Sequence, residues 1–183
     1  PERPDGLSPF NGGACEGFMR AHGFDPRELF AGGAHDWARS PGDLARFWAW
    51  RKEQTTAIHR DVLGALAALG KERPLALCVA LLDGRATPEK AELLGIDVDA
   101  ILALRAAVPF DVQFLDSRAE RPRGRARVQA LLRDYAPHVA PADMTMHINL
   151  AEAGAGTGMG ALTGLALYRE IAEVAPLPVA VYS

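Results

Sequence analysis

The sequence predicts an α/β fold in which parallel strands alternate with helices, and three observations lead to this. The 183-residue chain alternates helix-like and strand-like segments, with connections of the length found in βαβ units. Residues 75–82 are wholly apolar, which is typical of a strand buried on both faces of a helix-covered sheet. Residues 143–175 change from an apolar period of two to one of 3.6, which indicates a strand followed by a helix.

The composition is that of a globular protein and excludes some partners. Apolar residues make up 49% and charged residues 23% of the chain, and the net charge of −3 argues against a nucleic-acid partner. The chain contains Cys15 and Cys78, and the apolar neighbours of Cys78 predict a reduced core thiol rather than a disulfide framework. No apolar run approaches the roughly 20 residues of a membrane span. The sequence carries no visible signal peptide and leaves the compartment, cytoplasmic or exported, undetermined.

We expect residues 1–183 to form a single domain or a fragment of a larger one. The chain opens at Pro1 in a loop composition and closes in the strand-like VAVYS, so both ends are expected to be internal to a longer protein. Residues 1–42 are interpreted as a loop region of the active face, and residues 43–183 as a helix followed by four βα units.

The amino-terminal third is predicted to be helical, with residues that mark where its helices begin and end. Residues 15–22 suit a short helix, and Asp25 followed by Pro26 suits the cap and first position of the next. The longest helix is predicted over residues 43–69. Its apolar residues mark one broad face: Leu44, Phe47, Trp48, Ile58, Val62, Leu66 and Leu69.

The remaining segments complete the alternation. After the first strand come a helical run from Thr87, a strand over 109–117, and a basic amphipathic helix over 123–142. A strand beginning near residue 144, its helix to residue 175 and a final strand at 177–183 follow. Four such strands suit either half of a (β/α)8 barrel or a small doubly wound sheet.

Three consecutive predicted strands end in an acid, at Asp83, Asp116 and Glu152. In a parallel barrel such residues lie at the same carboxyl edge, where barrel enzymes keep their chemistry. Paired carboxylates can hydrolyse a glycosidic bond, one as acid and the other as nucleophile or base. They can equally bind a divalent metal ion, or simply cap the loop or helix that follows.

Two polar residues lie inside the strand that precedes Glu152. Alternation places His147 and Asn149 on one side, where they could line the upper interior of a barrel and bind substrate. A satisfied interior histidine is the alternative. No pair of histidines has zinc-ligand spacing, and we predict no metal site.

The glycine-rich stretch after Glu152 contains a G-x-G-x-x-A match at residues 156–161, between a strand and a helix. This pattern is found in dinucleotide sites, but the acid that binds the ribose is missing from the end of the next strand. We therefore expect no cofactor, although a phosphate or oxyanion at the helix start is an alternative.

Three segments between residues 1 and 82 resemble a known group of proteins. They are Cys15 to Phe18, Gly23-Phe24-Asp25-Pro26, and the tryptophan-rich Phe47-Trp48-Ala49-Trp50-Arg51 with Thr55 and Thr56 after it. In this pattern and order they resemble the glycoside hydrolase-like TIM barrels. The resemblance implies that the chain supplies strands five to eight of an incomplete (β/α)8 barrel.

The resemblance also implies roles for individual residues. Glu152 falls at the seventh strand, where many retaining barrel glycosidases keep their nucleophile, while Asp83 and Asp116 would assist or bind sugar hydroxyls. Trp50 and Arg51 would shape the entrance for a carbohydrate substrate. The fourth-strand acid of the family would precede Pro1, so the chain alone is expected to be inactive without the missing amino-terminal half.

The sequence interpretation is therefore a glycoside hydrolase acting through carboxylates at the carboxyl face. Three alternatives remain: a divalent-metal-dependent barrel isomerase or aldolase, a barrel that binds carbohydrate without catalysis, and a nucleotide-binding sheet.

Overall fold

A computed structural model describes residues 12–115, 124–149, 169, 173 and 179–182. In chain order the helices are α1 (Gly12–His22), α2 (Pro41–Gly70), α3 (Pro88–Leu94), α4 (Val98–Ala103) and α5 (Gly124–Tyr135). The strands are β1 (Cys78–Leu82), β2 (Asp111–Leu115), β3 (Met144–Asn149) and β4 (Val179–Tyr182). Short 3₁₀ turns cover Pro26–Phe30, Leu104–Ala106 and Pro141–Asp143. Within this described part, none of the helices combines the length and apolar character needed to cross a membrane.

The chain divides into two compact units. Unit 1 comprises Pro1–His59 and Pro88–Asp97, and unit 2 comprises Arg60–Thr87 and Val98–Ser183. The helical run predicted from Thr87 is two helices, because Gly95 ends α3 with a φ of +66°. A left-handed glycine at this position is a common way to end a helix. The two helices belong to different units.

Unit 2 contains a four-stranded sheet in which every described strand is parallel to its neighbour. The strand order is β1-β2-β3-β4, so strands consecutive in the chain are adjacent in the sheet. Leu82 pairs with Leu115, and Leu115 pairs in turn with His147. The predicted α/β class and the parallel sheet are thus confirmed.

The two faces of this sheet differ in burial. Val112, Phe114 and Met144 are fully buried and lie in one set of alternating positions, with Leu81 at 2% exposure beside them. Helix α5 lies on this face, because the ring of Tyr135 packs 4.2 Å from that of Phe114. We call this the helix-covered face.

The opposite positions are more accessible. Cys78 and Ala80 are exposed, and Gln113, Leu115 and Thr145 are half-buried. The prediction that the first strand is buried on both faces is therefore wrong, as is the prediction of Cys78 as a core thiol. The physical reason is that β1 stands at one end of the strand order, and Cys78 and Ala80 lie on the accessible face.

Helix α2 matches its predicted length but not its predicted apolar face. Phe47 is buried, whereas Ile58, Val62 and Leu69 are each more than half exposed. In the second half of the helix the buried side passes through Thr56 and Leu63. The prediction of one continuous packed face is wrong there.

The core of unit 1 is aromatic. Phe18, Phe24, Leu29 and Phe47 form a buried cluster against which Phe30, Trp48 and Trp50 pack. The predicted cap is confirmed: the Asp25 carboxylate accepts a hydrogen bond from the Arg27 amide, and the Glu28 carboxylate accepts one from the Asp25 amide. This capping box fixes the turn that carries Phe24 and Leu29 into the cluster. Within residues 1–42, interpreted as the loop region of the active face, the short helix predicted at residues 15–22 is present as α1, and the capped helical turn follows it.

Candidate functional site

Asp83 follows β1 at the carboxyl edge of the sheet, as predicted, but its side chain is only 1% exposed. One carboxylate oxygen accepts hydrogen bonds from the Tyr135 hydroxyl at 2.8 Å and from the Ala86 amide at 3.1 Å. The Asp83 carbonyl accepts two more, from the amide and hydroxyl of Thr87. Asp83 thus ties the turn after β1 to the end of α5.

Tyr135 links this carboxylate to a network that the sequence analysis missed. Its hydroxyl accepts a hydrogen bond from the Arg85 amide, and the Arg85 guanidinium lies 5.0 Å from the centre of its ring. Burial raises the pKa of Tyr135, so the phenol stays protonated and donates to Asp83. Arg85 also binds the Asp99 carboxylate, the Asp134 carbonyl and the ring of His138.

The contacts give Asp83 a structural role. Its Oδ1 atom is bonded to Tyr135 on the helix-covered face and the side chain is 1% exposed, so these contacts favour a structural role over contact with a substrate. No local pattern could reveal the pairing, because Asp83 and Tyr135 are 52 residues apart. The sequence analysis placed Asp83 correctly at a strand end but did not predict the direction of its side chain.

The other predicted site residues of unit 2 are placed only in part. Asp116 and Glu152 lie outside the described residues. His147 and Asn149 belong to β3, where His147 pairs with Leu115 and Ala180, and Asn149 pairs with Tyr182. Thr145, two residues before His147 in the same strand, has a half-buried side chain on the accessible face.

Trp50 and Arg51, the predicted entrance residues, belong to unit 1. Trp50 is half-buried and packs edge-on against Phe18, with 5.5 Å between ring centres. Arg51 is 9% exposed and donates one hydrogen bond, from Nη1 to the Leu93 carbonyl at 2.8 Å. Its guanidinium lies 5.2 Å from the Trp48 ring and 5.8 Å from the Phe47 ring. Burial lowers the pKa of Arg51.

Unit 1 contains a polar cluster around Asp43 that was not predicted from the sequence. The Asp43 carboxylate accepts hydrogen bonds from His35 Nδ1 at 2.8 Å and from the Ser40 hydroxyl at 2.7 Å, and it pairs with Arg46. The His35 ring also stacks on Phe24, with 4.0 Å between ring centres. A serine followed three residues later by an acid marks a helix start, so the S-P-G-D sequence at 40–43 was the available signal.

This cluster gives a prediction for acid stability. The hydrogen bonds from His35 and then from Ser40 lower the pKa of Asp43 in the folded protein. Its contribution is therefore present above the unfolded-state pKa of about 3.9 and is lost as the pH falls through the lower folded value. We expect the free energy of unfolding to fall more steeply below about pH 4 in the wild type than in Asp43→Asn.

Urea denaturation at a series of pH values measures this slope. The matched control is Asp61→Asn, since Asp61 is exposed on the same helix and should leave the slope unchanged. Identical slopes in the wild type and Asp43→Asn would contradict the role given to the cluster.

Metal binding receives no support from the described residues, among which no three histidine, cysteine, aspartate or glutamate side chains gather closely enough to hold an ion. Comparison of the chain with models of known families, with curated proteins and with solved structures finds no match.

Proposed function

We propose that the chain forms the carboxyl-terminal half, strands five to eight, of a (β/α)8 barrel in a glycoside hydrolase. Glu152 is the leading catalytic carboxylate and Asp116 assists it. The substrate is a carbohydrate whose glycosidic bond is cleaved by carboxylate acid/base chemistry. Asp83 positions the turn after the first of these strands.

The strand order is the observation that carries this proposal. Each strand of β1-β2-β3-β4 is parallel to, and adjacent to, the next one in the chain. Consecutive strands remain neighbours all the way around a (β/α)8 barrel. A doubly wound sheet instead reverses its order at a switch point, so the observed order favours the barrel over that alternative.

The unequal faces of the sheet support the same architecture. Barrel helices cover the outer face, as α5 does here, and the inner face is completed by the other strands. The accessible row Ala80, Gln113 and Thr145 corresponds to that inner face.

The test is the substitution Glu152→Gln in the full-length protein, assayed on a panel of aryl glycosides. The amide keeps the shape of the side chain but can neither transfer a proton nor act as a nucleophile, so we expect the hydrolysis rate to fall by about 10²-fold or more. Glu53→Gln, an exposed position on α2, is the matched control and should retain full activity. Unchanged hydrolysis by a folded Glu152→Gln protein would overturn the proposal.

The burial of Asp83 favours one second candidate, a barrel that binds carbohydrate without cleaving it. With Asp83 occupied by Tyr135, fewer strand-end acids face the ligand than the sequence interpretation required. This candidate predicts saturable oligosaccharide binding by the wild-type protein, no hydrolysis of any substrate, and the same affinity in Glu152→Gln. The same assay therefore distinguishes the two functions.

A further inference from the structure

The side chain of Arg51 is a cation without a carboxylate partner among the described residues. It is 9% exposed, yet it forms neither an ion pair nor any hydrogen bond besides the one from Nη1 to the Leu93 carbonyl. Burying a charge is costly unless it is paired and hydrogen-bonded. The buried aspartate in the first turn of α2, Asp43, is engaged by His35, Ser40 and Arg46.

The close approach of α3 to α2 explains the hydrogen bond that Arg51 donates to the Leu93 carbonyl. A Cβ atom added to Gly95 would lie 3.1 Å from the Cβ of Arg51, so glycine lets the last turn of α3 pack directly on α2. This brings the Leu93 carbonyl, at the end of α3, within 2.8 Å of Nη1. Carbonyls at a helix end attract a cation but carry only partial charge. The Leu93 carbonyl therefore offsets only part of the positive charge of the Arg51 guanidinium.

The two other guanidinium nitrogens of Arg51, Nε and Nη2, form no hydrogen bond with the described residues. Among those residues, the Thr56 hydroxyl oxygen is the one fully buried side-chain polar atom without a partner, so Nε and Nη2 keep some exposure to solvent. These two nitrogens share one edge of the guanidinium, the edge that binds a carboxylate through two parallel hydrogen bonds.

The aromatic neighbours hold this edge in place. The guanidinium carbon lies over Trp48 and Phe47, and the stem is fixed against Gly95. A guanidinium held over aromatic rings loses little conformational entropy when a ligand binds.

We infer that Arg51 is a subsite for a carboxylate-bearing sugar, a uronic acid, bound through Nε and Nη2. The carboxylate class follows from the free guanidinium edge, while its attachment to a sugar rests on the proposed function. Burial lowers the pKa of Arg51, and a bound anion acts in the opposite direction because a nearby negative charge favours the charged guanidinium.

Binding of sodium glucuronate to the 183-residue chain tests this, with glucose as the neutral probe at matched ionic strength. Tryptophan fluorescence is a suitable readout because Trp48 contacts the guanidinium. Charge-assisted hydrogen bonds contribute about 1.5–3 kcal/mol, so glucuronate should bind the wild type about tenfold or more tightly than glucose. Equal affinity of the wild-type protein for the two sugars would overturn the inference. The absence of saturable glucuronate binding would also overturn it.

Two variants then locate the site. Arg51→Gln should weaken glucuronate binding about tenfold or more, whereas Arg46→Gln, the matched control on the same helix, should leave it within about twofold. Arg51→Lys keeps the charge but loses the planar fork, and an intermediate affinity is expected. Wild-type affinity in a folded Arg51→Gln protein would reject the subsite.

The outcome is separable from that of the proposed function, because no bond is cleaved in this assay. Glucuronate binding that depends on Arg51, together with unchanged hydrolysis by Glu152→Gln, would overturn the proposed function alone. Loss of hydrolysis in Glu152→Gln, with glucuronate binding unaffected by Arg51→Gln, would overturn the subsite alone.

Discussion

Replacing Asp83 by alanine is expected to lower the free energy of unfolding by about 2–4 kcal/mol. The substitution removes the acceptor of two hydrogen bonds, one from the fully buried Tyr135 hydroxyl and one from the partly buried Ala86 amide. A buried donor left without a partner costs about 1–3 kcal/mol. Urea denaturation followed by circular dichroism measures the change.

Two further variants separate this structural role from catalysis. Asp83→Asn keeps an oxygen that can accept both hydrogen bonds, so we expect a smaller loss of stability and, if the protein is the hydrolase we propose, retained hydrolysis. A catalytic carboxylate would instead lose its activity on conversion to the amide. Loss of hydrolysis in a fully stable Asp83→Asn protein would contradict the assignment made from the contacts.

A double-mutant cycle tests the pairing itself. Tyr135→Phe removes the hydroxyl that donates to Asp83 and accepts from Arg85. Because the two residues share one hydrogen bond, Asp83→Ala together with Tyr135→Phe should cost less than the sum of the single changes. Additive losses would show that the two side chains contribute independently.

Local sequence patterns predicted the elements of this fold well. The cap at Asp25 and Pro26, the length of α2 and the buried side of β2 each depend on residues close together in the chain, and each is confirmed. Capping, helical periodicity and strand alternation act over fewer than ten residues. A sequence therefore reveals them without reference to the rest of the molecule.

Side-chain direction and burial were harder to predict, because they depend on neighbours that are distant in sequence. Cys78 is apolar in its local context but exposed, since β1 stands at the end of the strand order. Asp83 resembles other strand-end acids until Tyr135, 52 residues later, is seen to bind it. The role of Arg51 in substrate binding stays a prediction, and among the described residues its guanidinium forms one hydrogen bond, with the Leu93 carbonyl.

The largest loss of stability in unit 1 is expected from Phe18→Ala. Phe18 is fully buried, and its ring lies 4.4–5.5 Å, centre to centre, from the rings of four neighbours: His22, Phe24, Phe47 and Trp50. Truncating a buried phenylalanine removes its apolar contacts and leaves a cavity, at a cost of about 3–5 kcal/mol. Edge-to-face contacts between rings add to this loss.

Tryptophan fluorescence during urea denaturation is the appropriate measurement, because all three tryptophans of the chain, Trp37, Trp48 and Trp50, belong to unit 1. Phe18→Ala should move the midpoint to lower urea, and the emission of Trp50 should shift to longer wavelength as water approaches its ring. Met19→Ala is the matched control, since the neighbouring Met19 side chain is 46% exposed and should change the midpoint little. If the two variants unfold at the same urea concentration, Phe18 is not the centre of the aromatic core. The packing that holds Trp50 and the α2 segment carrying Arg51 would then have to be assigned to other residues.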